Sequence, residues 1–199
     1  MKLRWGFKAE ANAIARDLRP ELGLAPADPL DPRRLAEHLA IPIINLTSLR
    51  SEAPGAVARF TTQADREAFS AVTVFRGPQQ IIVVNDAHSP ARQASSLAHE
   101  LAHSLLWHEP SSASAADGIP EWNAEQEEEA QWLAGALLIS DEAALRIAQQ
   151  RLSLEEAARA YGTSIEMMRG RINVTAARRR VRLARGASTV ASKRNSETK

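Results

Sequence analysis

The chain contains no cysteine. That absence removes disulfide frameworks, thiolate metal sites and cysteine nucleophiles together. Nor does any stretch approach the roughly 18 consecutive apolar residues that cross a bilayer, so no membrane association is expected. The first ten residues carry early basic side chains but lack the apolar segment of a secretory signal. The cytoplasm is the expected address. No internal repeat is visible, and the formal net charge is only +1. What remains is an ordinary globular composition, 44% hydrophobic and 25% charged, in 199 residues. This suffices for one domain with a sizeable core, or one domain and a small appendage.

The small net charge conceals an asymmetry. Residues 1–140 carry 12 Lys/Arg against 18 Asp/Glu, whereas 141–199 carry 13 against 6. From Arg169 to Arg185 there are seven arginines and no acid. An acidic body with a basic end suggests two functional regions, and a solvated helix face is the plainer explanation of the arginines.

Periodicity and punctuation organise the chain. Apolar Ala11, Ile14, Ala15 and Leu18 predict a helix over 8–19, and Asp31-Pro32 reads as a cap opening a second helix over about 32–40. Ile41 to Leu46 reads as a strand, 51–67 as irregular with a turn at Pro54-Gly55, and Phe69–Phe75 with Ile81–Val84 as a hairpin about Arg76-Gly77-Pro78. Ser89-Pro90 opens a helix running to about Trp107, with Ala94, Leu97, Ala98, Leu101, Ala102 and Leu105 as its core stripe. Pro110 to Pro120 reads as a loop. Helices follow at about 121–139, 141–150 and 153–160, then one basic helix from 164 to 185. The segment from Gly186 reads as a disordered tail.

The chemistry lies in the Ser89 helix, where His99-Glu100-Leu101-Ala102-His103 forms an H-E-x-x-H motif. Residues four apart stand one above the other on a helix. Both imidazoles can therefore reach one metal ion, and Glu100 is placed to accept a proton from an attacking water. Two histidines leave a catalytic zinc short of a ligand. His108 fails the metzincin spacing, because Leu106 and Glu109 stand where that pattern needs glycine and histidine. The acidic run Glu125 to Glu129 opens the next helix, and Glu129 lies one turn before Leu133, on a core-directed row. Most of these glutamates suit a solvated first helical turn; one is enough as a ligand.

In combination these segments resemble the ImmA/IrrE metallo-endopeptidases over roughly residues 8 to 175. The matching pieces are Ile81-Ile82-Val83-Val84-Asn85, Arg92, Leu97 to His103, and Glu127-x-Glu129-Ala130-Gln131-x-Leu133-Ala134-x-x-Leu137-Leu138. The last resembles the family's E-x-E-A-N-x-F-A-x-x-L-L, with Gln131, Leu133 and Ser140 standing where Asn, Phe and Pro are usual. The resemblance implies that Glu129 is the third ligand beside His99 and His103, with Glu125 and Glu128 as fallbacks, and that Glu100 is the catalytic base. It implies Zn2+, with Mn2+ as an alternative. It further implies a protein substrate, a helix-turn-helix repressor controlling a stress or mobile-element response.

The expected fold is α+β: a mainly helical zincin-like core with a small three-stranded sheet over 1–140, a basic helical region over 141–185, and the tail over 186–199. Ser153 to Arg169 has the rhythm of a helix-turn-helix, turning at Gly162, and its arginines are candidates for weak DNA contact. Packing on the protease core is the favoured alternative for that pair, because the second helix begins with Ser164 and Glu166 rather than base-reading side chains. His38 and His88 are weak site candidates. Trp107 and Trp122 are candidates to line a substrate groove, with burial of apolar area as the default role. The rival functional class is a non-enzymatic DNA- or partner-binding regulator with a vestigial or structural metal site.

Overall fold

A computed structural model describes residues 3–62, 65–76, 79–108 and 123–196, with Arg66 and 187–196 described in backbone only. The Gly77-Pro78 turn, the Pro110–Pro120 loop, Trp122 and residues 197–199 lie outside the described residues.

Among the described residues the order is α1 (Phe7–Glu21), α2 (Pro32–His38), β1 (Ile43–Asn45), α3 (Pro54–Thr61), β2 (Ala71–Arg76), β3 (Gln79–Val84), α4 (Pro90–Leu105), α5 (Ala124–Leu138), α6 (Asp141–Gln150), α7 (Leu154–Ala160), α8 (Ile165–Val174) and α9 (Ala177–Ser196). The fold is α+β, mostly helical with one three-stranded mixed sheet of order β1-β3-β2. β3 runs parallel to β1, with Ile43 opposite Ile82, and antiparallel to β2, with Thr73 opposite Ile82. Among the described residues no helix is long and apolar enough to cross a membrane.

Polar caps set many of the helix starts. Asp31 accepts from the Arg33 amide ahead of Pro32, Ser89 from Arg92 ahead of Pro90, and Ser140 from Ala143. Ser153 and Glu156 form a reciprocal capping box on α7. The sheet packs Ile82 and Val84 of β3 against α4, which in turn lies against α5. One buried apolar cluster then runs unbroken from Phe7 of α1 through Leu97, Leu101, Leu133 and Leu137 to Met168, Ile172 and Ala177. Residue 140 marks no break in it.

Three local expectations are corrected. The stretch expected to be irregular contains α3, because Pro54 begins a helix rather than a turn: its fixed φ suits the first helical position, and Val57 supplies a buried anchor. The single basic helix expected over 164–185 is two helices. β-branched Val174 and Thr175 weaken the junction, Thr175 Oγ1 bonds back to the Arg171 carbonyl at 2.8 Å, and Ala176 adopts φ 51°. Finally, α9 continues past Gly186 to Ser196. No proline interrupts that stretch, and each added helical residue costs little once the helix is nucleated.

Candidate metal centre

Two buried arginines hold the scaffold around the site. Arg19 of α1 donates from Nη2 to the Leu137 carbonyl at 2.8 Å, and Arg171 of α8 donates from Nε to the Ile139 carbonyl at 3.0 Å. Both thereby satisfy carbonyls at the C-terminal end of α5, which has no further helical turn to pair them. Gly135 makes room for this arrangement, since a Cβ there would stand 3.0 Å from Arg171 Cδ. Burial lowers both guanidinium pKa values, that of Arg171 to about 10.

With α5 fixed at that end, its first half faces α4. His99 and His103 project from α4 on one face, and their Nε2 atoms stand 3.1 Å apart. Glu127 of α5 approaches the same point, with Oε2 at 3.1 Å from His99 Nε2 and Oε1 at 3.5 Å from His103 Nε2. These three form the one group of suitable donors found among the described residues. Two ligands of a tetrahedral zinc, each about 2.0–2.1 Å from the ion, stand roughly 3.3 Å apart. The observed separations bracket that value. The donor chemistry fits as well, since two neutral imidazoles and a carboxylate make a set that zinc accepts. Burial, with the neighbouring His99, lowers the His103 pKa to about 4, so its imidazole is neutral near pH 7.

The other anticipated residues are distributed around this group. Glu100 receives a 2.6 Å hydrogen bond from Thr73 Oγ1 of β2, which takes Oε2 and leaves Oε1 for other partners. Glu129 is not in the group: its Oε1 accepts from Arg4 Nε at 2.7 Å, and its Oε2 lies 3.4 Å from His108 Nε2. Glu125 is exposed in the first turn of α5, and Glu128 lines a neighbouring groove. His88 is buried with Nε2 against the Phe69 carbonyl, and His38 pairs with Glu21. Trp107 stands 90% exposed, apart from that groove. Arg92 holds Glu67 and Ser70, tying α4 to the segment before β2.

Sequence reasoning left Thr73, Arg4 and the role of His108 unassigned. Thr73 carried a faint signal: it is the polar member of the β2 row that points at α4, while Val72 and Val74 face outward.

The groove, about 1800 Å³, lies among the N-terminal segment, α5 and α8, and its walls include Trp5, Trp132, Met167 and Val174 together with His99 and Glu127. Ser164, which caps α8, and Glu166 in its first turn also face it, while Met168, Arg171 and Ile172 are buried. Both helices of the helix-turn-helix-like pair thus pack on the core, and α8 forms one wall of this groove.

A small mixed sheet beneath a helix bearing two histidines, with a glutamate supplied from the next helix, defines a metallopeptidase-like class of site. The model of a peptidase family described as an IrrE N-terminal-like domain matches residues 53–173, more than half of the chain, and the chain belongs to that family. The match runs from α3 through α8 and includes the histidines, Glu100, Glu127 and Glu129. Among curated proteins, none matches significantly.

Proposed function

We propose that the chain is a zinc-dependent endopeptidase in which His99, His103 and Glu127 hold the metal and Glu100 is the general base. The observation that carries this reading is the convergence of the two Nε2 atoms and the Glu127 carboxylate within 3.5 Å, on a motif that also supplies Glu100. A bound zinc ion would contribute Lewis acidity and bring the acidity of water into the neutral range.

The remaining work falls to the protein's own side chains. Thr73 fixes one oxygen of Glu100 and turns the other toward the attacking water, whose proton Glu100 accepts. Glu100 then returns that proton to the departing amine, so the bond broken is C–N and the bond formed is C–O. The groove exceeds the usual 300–1,000 Å³ of a small-molecule pocket. Its size and its aromatic walls suit a polypeptide, and the reading extends to a regulatory protein, a helix-turn-helix repressor, as substrate.

The test is zinc content and cleavage together. Protein stripped and reloaded should hold about one zinc per chain and should cut a helix-turn-helix repressor encoded beside it. No zinc in folded protein would overturn the assignment. The non-enzymatic alternative draws on the exposed Arg178, Arg179 and Arg182 of α9, although Arg180 is committed to Asp141 at 2.7 Å. It predicts salt-dependent binding of duplex DNA that vanishes when Arg178, Arg179 and Arg180 are neutralised.

A further inference from the structure

We propose that Arg4, Glu129 and His108 form a hydrogen-bonded chain that selects the tautomer of His103, leaving its Nε2 bare for a metal. This makes His108 and Glu129 positioning residues, and it rests on the reading of His99, His103 and Glu127 as the metal site.

The chain follows from donor and acceptor counting. His108 Nδ1 lies 3.0 Å from His103 Nδ1, so of these two ring nitrogens one carries a proton and the other accepts it. The far side of His108 decides which. Its Nε2 faces Glu129 Oε2 at 3.4 Å, and an ionised carboxylate can only accept. In the neutral form of His108, Nε2 therefore carries the hydrogen and Nδ1 is bare, so the proton between the rings belongs to His103 Nδ1. A neutral His103 then has an unprotonated Nε2, the atom that faces His99 and Glu127. The opposite tautomer would place a hydrogen where the metal must bind.

Glu129 is itself held by Arg4 Nε at 2.7 Å, which orients the carboxylate. The His108 and Glu129 side chains are only 8% and 13% exposed, against 51% for Arg4, so the inner links are shielded from competing water. His108 is delivered by the end of α4. Trp107 takes φ 54°, a left-handed conformation usual for glycine, and the His108 amide returns to the His103 carbonyl at 3.1 Å. Arg4 lies outside residues 53–173, so this device reaches beyond the family-matched segment.

The tautomer can be read without metal, from the side-chain 15N shifts of His103 in the full chain at pH 8. The wild-type protein should show His103 protonated at Nδ1. His108→Phe removes the acceptor, so His103 should revert toward the Nε2-protonated form. Zinc affinity, measured by chelator competition, should fall about 10–100-fold. His108→Gln, which offers a carbonyl oxygen to Nδ1–H, should recover part of both. Glu129→Gln, close in shape, should move both readouts in the direction of His108→Phe.

An unchanged His103 tautomer in both His108→Phe and Glu129→Gln would overturn the proposal. So would a loss of zinc by several orders of magnitude in Glu129→Gln with the tautomer intact, which would make Glu129 a direct ligand. Wild-type protein that binds no zinc would defeat the metallopeptidase reading, while the 15N shifts would still decide the chain.

Discussion

The two ends of α5 treat polar groups in opposite ways. At its C-terminal end, carbonyls left over by the helix are met by guanidinium groups of Arg19 and Arg171, donors meeting acceptors at 2.8 and 3.0 Å deep inside the molecule. At its N-terminal half, Glu127 meets two imidazoles whose Nε2 atoms face each other at 3.1 Å, so three lone-pair-bearing groups crowd one point. His99 Nδ1 is buried with no hydrogen-bond partner among the described residues, as is Arg19 Nε near the other end. Donors paired with carbonyls stabilise a fold, whereas two imidazole nitrogens and a carboxylate converging on one point make a candidate place for a cation. The same helix serves as anchor at one end and offers a candidate ligand at the other.

The strongest way to break the comparison is to remove the carboxylate at the crowded end. Glu127→Ala should lower zinc affinity by about 10³-fold or more, because one of three protein ligands is lost; chelator competition checks this, and an affinity within tenfold of wild type would rule Glu127 out. Next is Glu100→Gln, which should cut peptidase turnover by about 10²–10⁴-fold while zinc content stays near one per chain. Cleavage at the wild-type rate would remove Glu100 from the mechanism.

The anchoring end is probed by Arg171→Met. It leaves the Ile139 carbonyl without its Arg171 donor and should destabilise the fold by about 1–3 kcal/mol, read as a shift in the urea midpoint. Zinc affinity per folded molecule should hold, and a large loss of affinity would show that the two ends of α5 are not separable. Thr73→Val keeps the shape of the side chain but removes the hydroxyl that orients Glu100. Turnover should fall roughly tenfold with stability nearly unchanged, within the range for a lost positioning hydrogen bond. The smallest expected effect, about 1 kcal/mol, is that of Ser153→Ala at the α7 capping box, away from the site, with no change in zinc affinity.

The histidines were legible for a simple reason. The geometry that joins them is contained within one helix, and four residues of separation fixes it wherever that helix packs. Their partner was harder to read. From Leu133 to Leu138 every residue is buried, so this end of α5 is enclosed on every side. Glu127 and Glu129, about 200° apart around the axis, lie at opposite edges of its main apolar arc. Periodicity puts both near the core and cannot rank them. The packing of α4 on α5 brings Glu127 to His99 and His103, whereas Glu129 meets His108 and Arg4. Thr73 and Arg4 were further out of reach, being 27 and 125 residues from their partners.

The arginine-rich end makes the same point in reverse. Composition drew attention to seven arginines as one charged feature, but tertiary structure divides them by task. Arg171 is buried against α5, Arg180 is paired with Asp141 of α6, and Arg178 and Arg179 are left exposed.

By itself, then, the sequence determined what nearest neighbours along the chain can decide. Cysteine chemistry was excluded by composition, and helix starts followed from Asp31-Pro32 and Ser89-Pro90. The H-E-x-x-H pair was fixed by helical pitch. Tertiary structure alone decided which glutamate joins the histidines, which arginines are buried, and that Glu129 meets His108 and Arg4. Those choices depend on the crossing of helices far apart in sequence, and a local pattern carries no information about a partner it has not yet met.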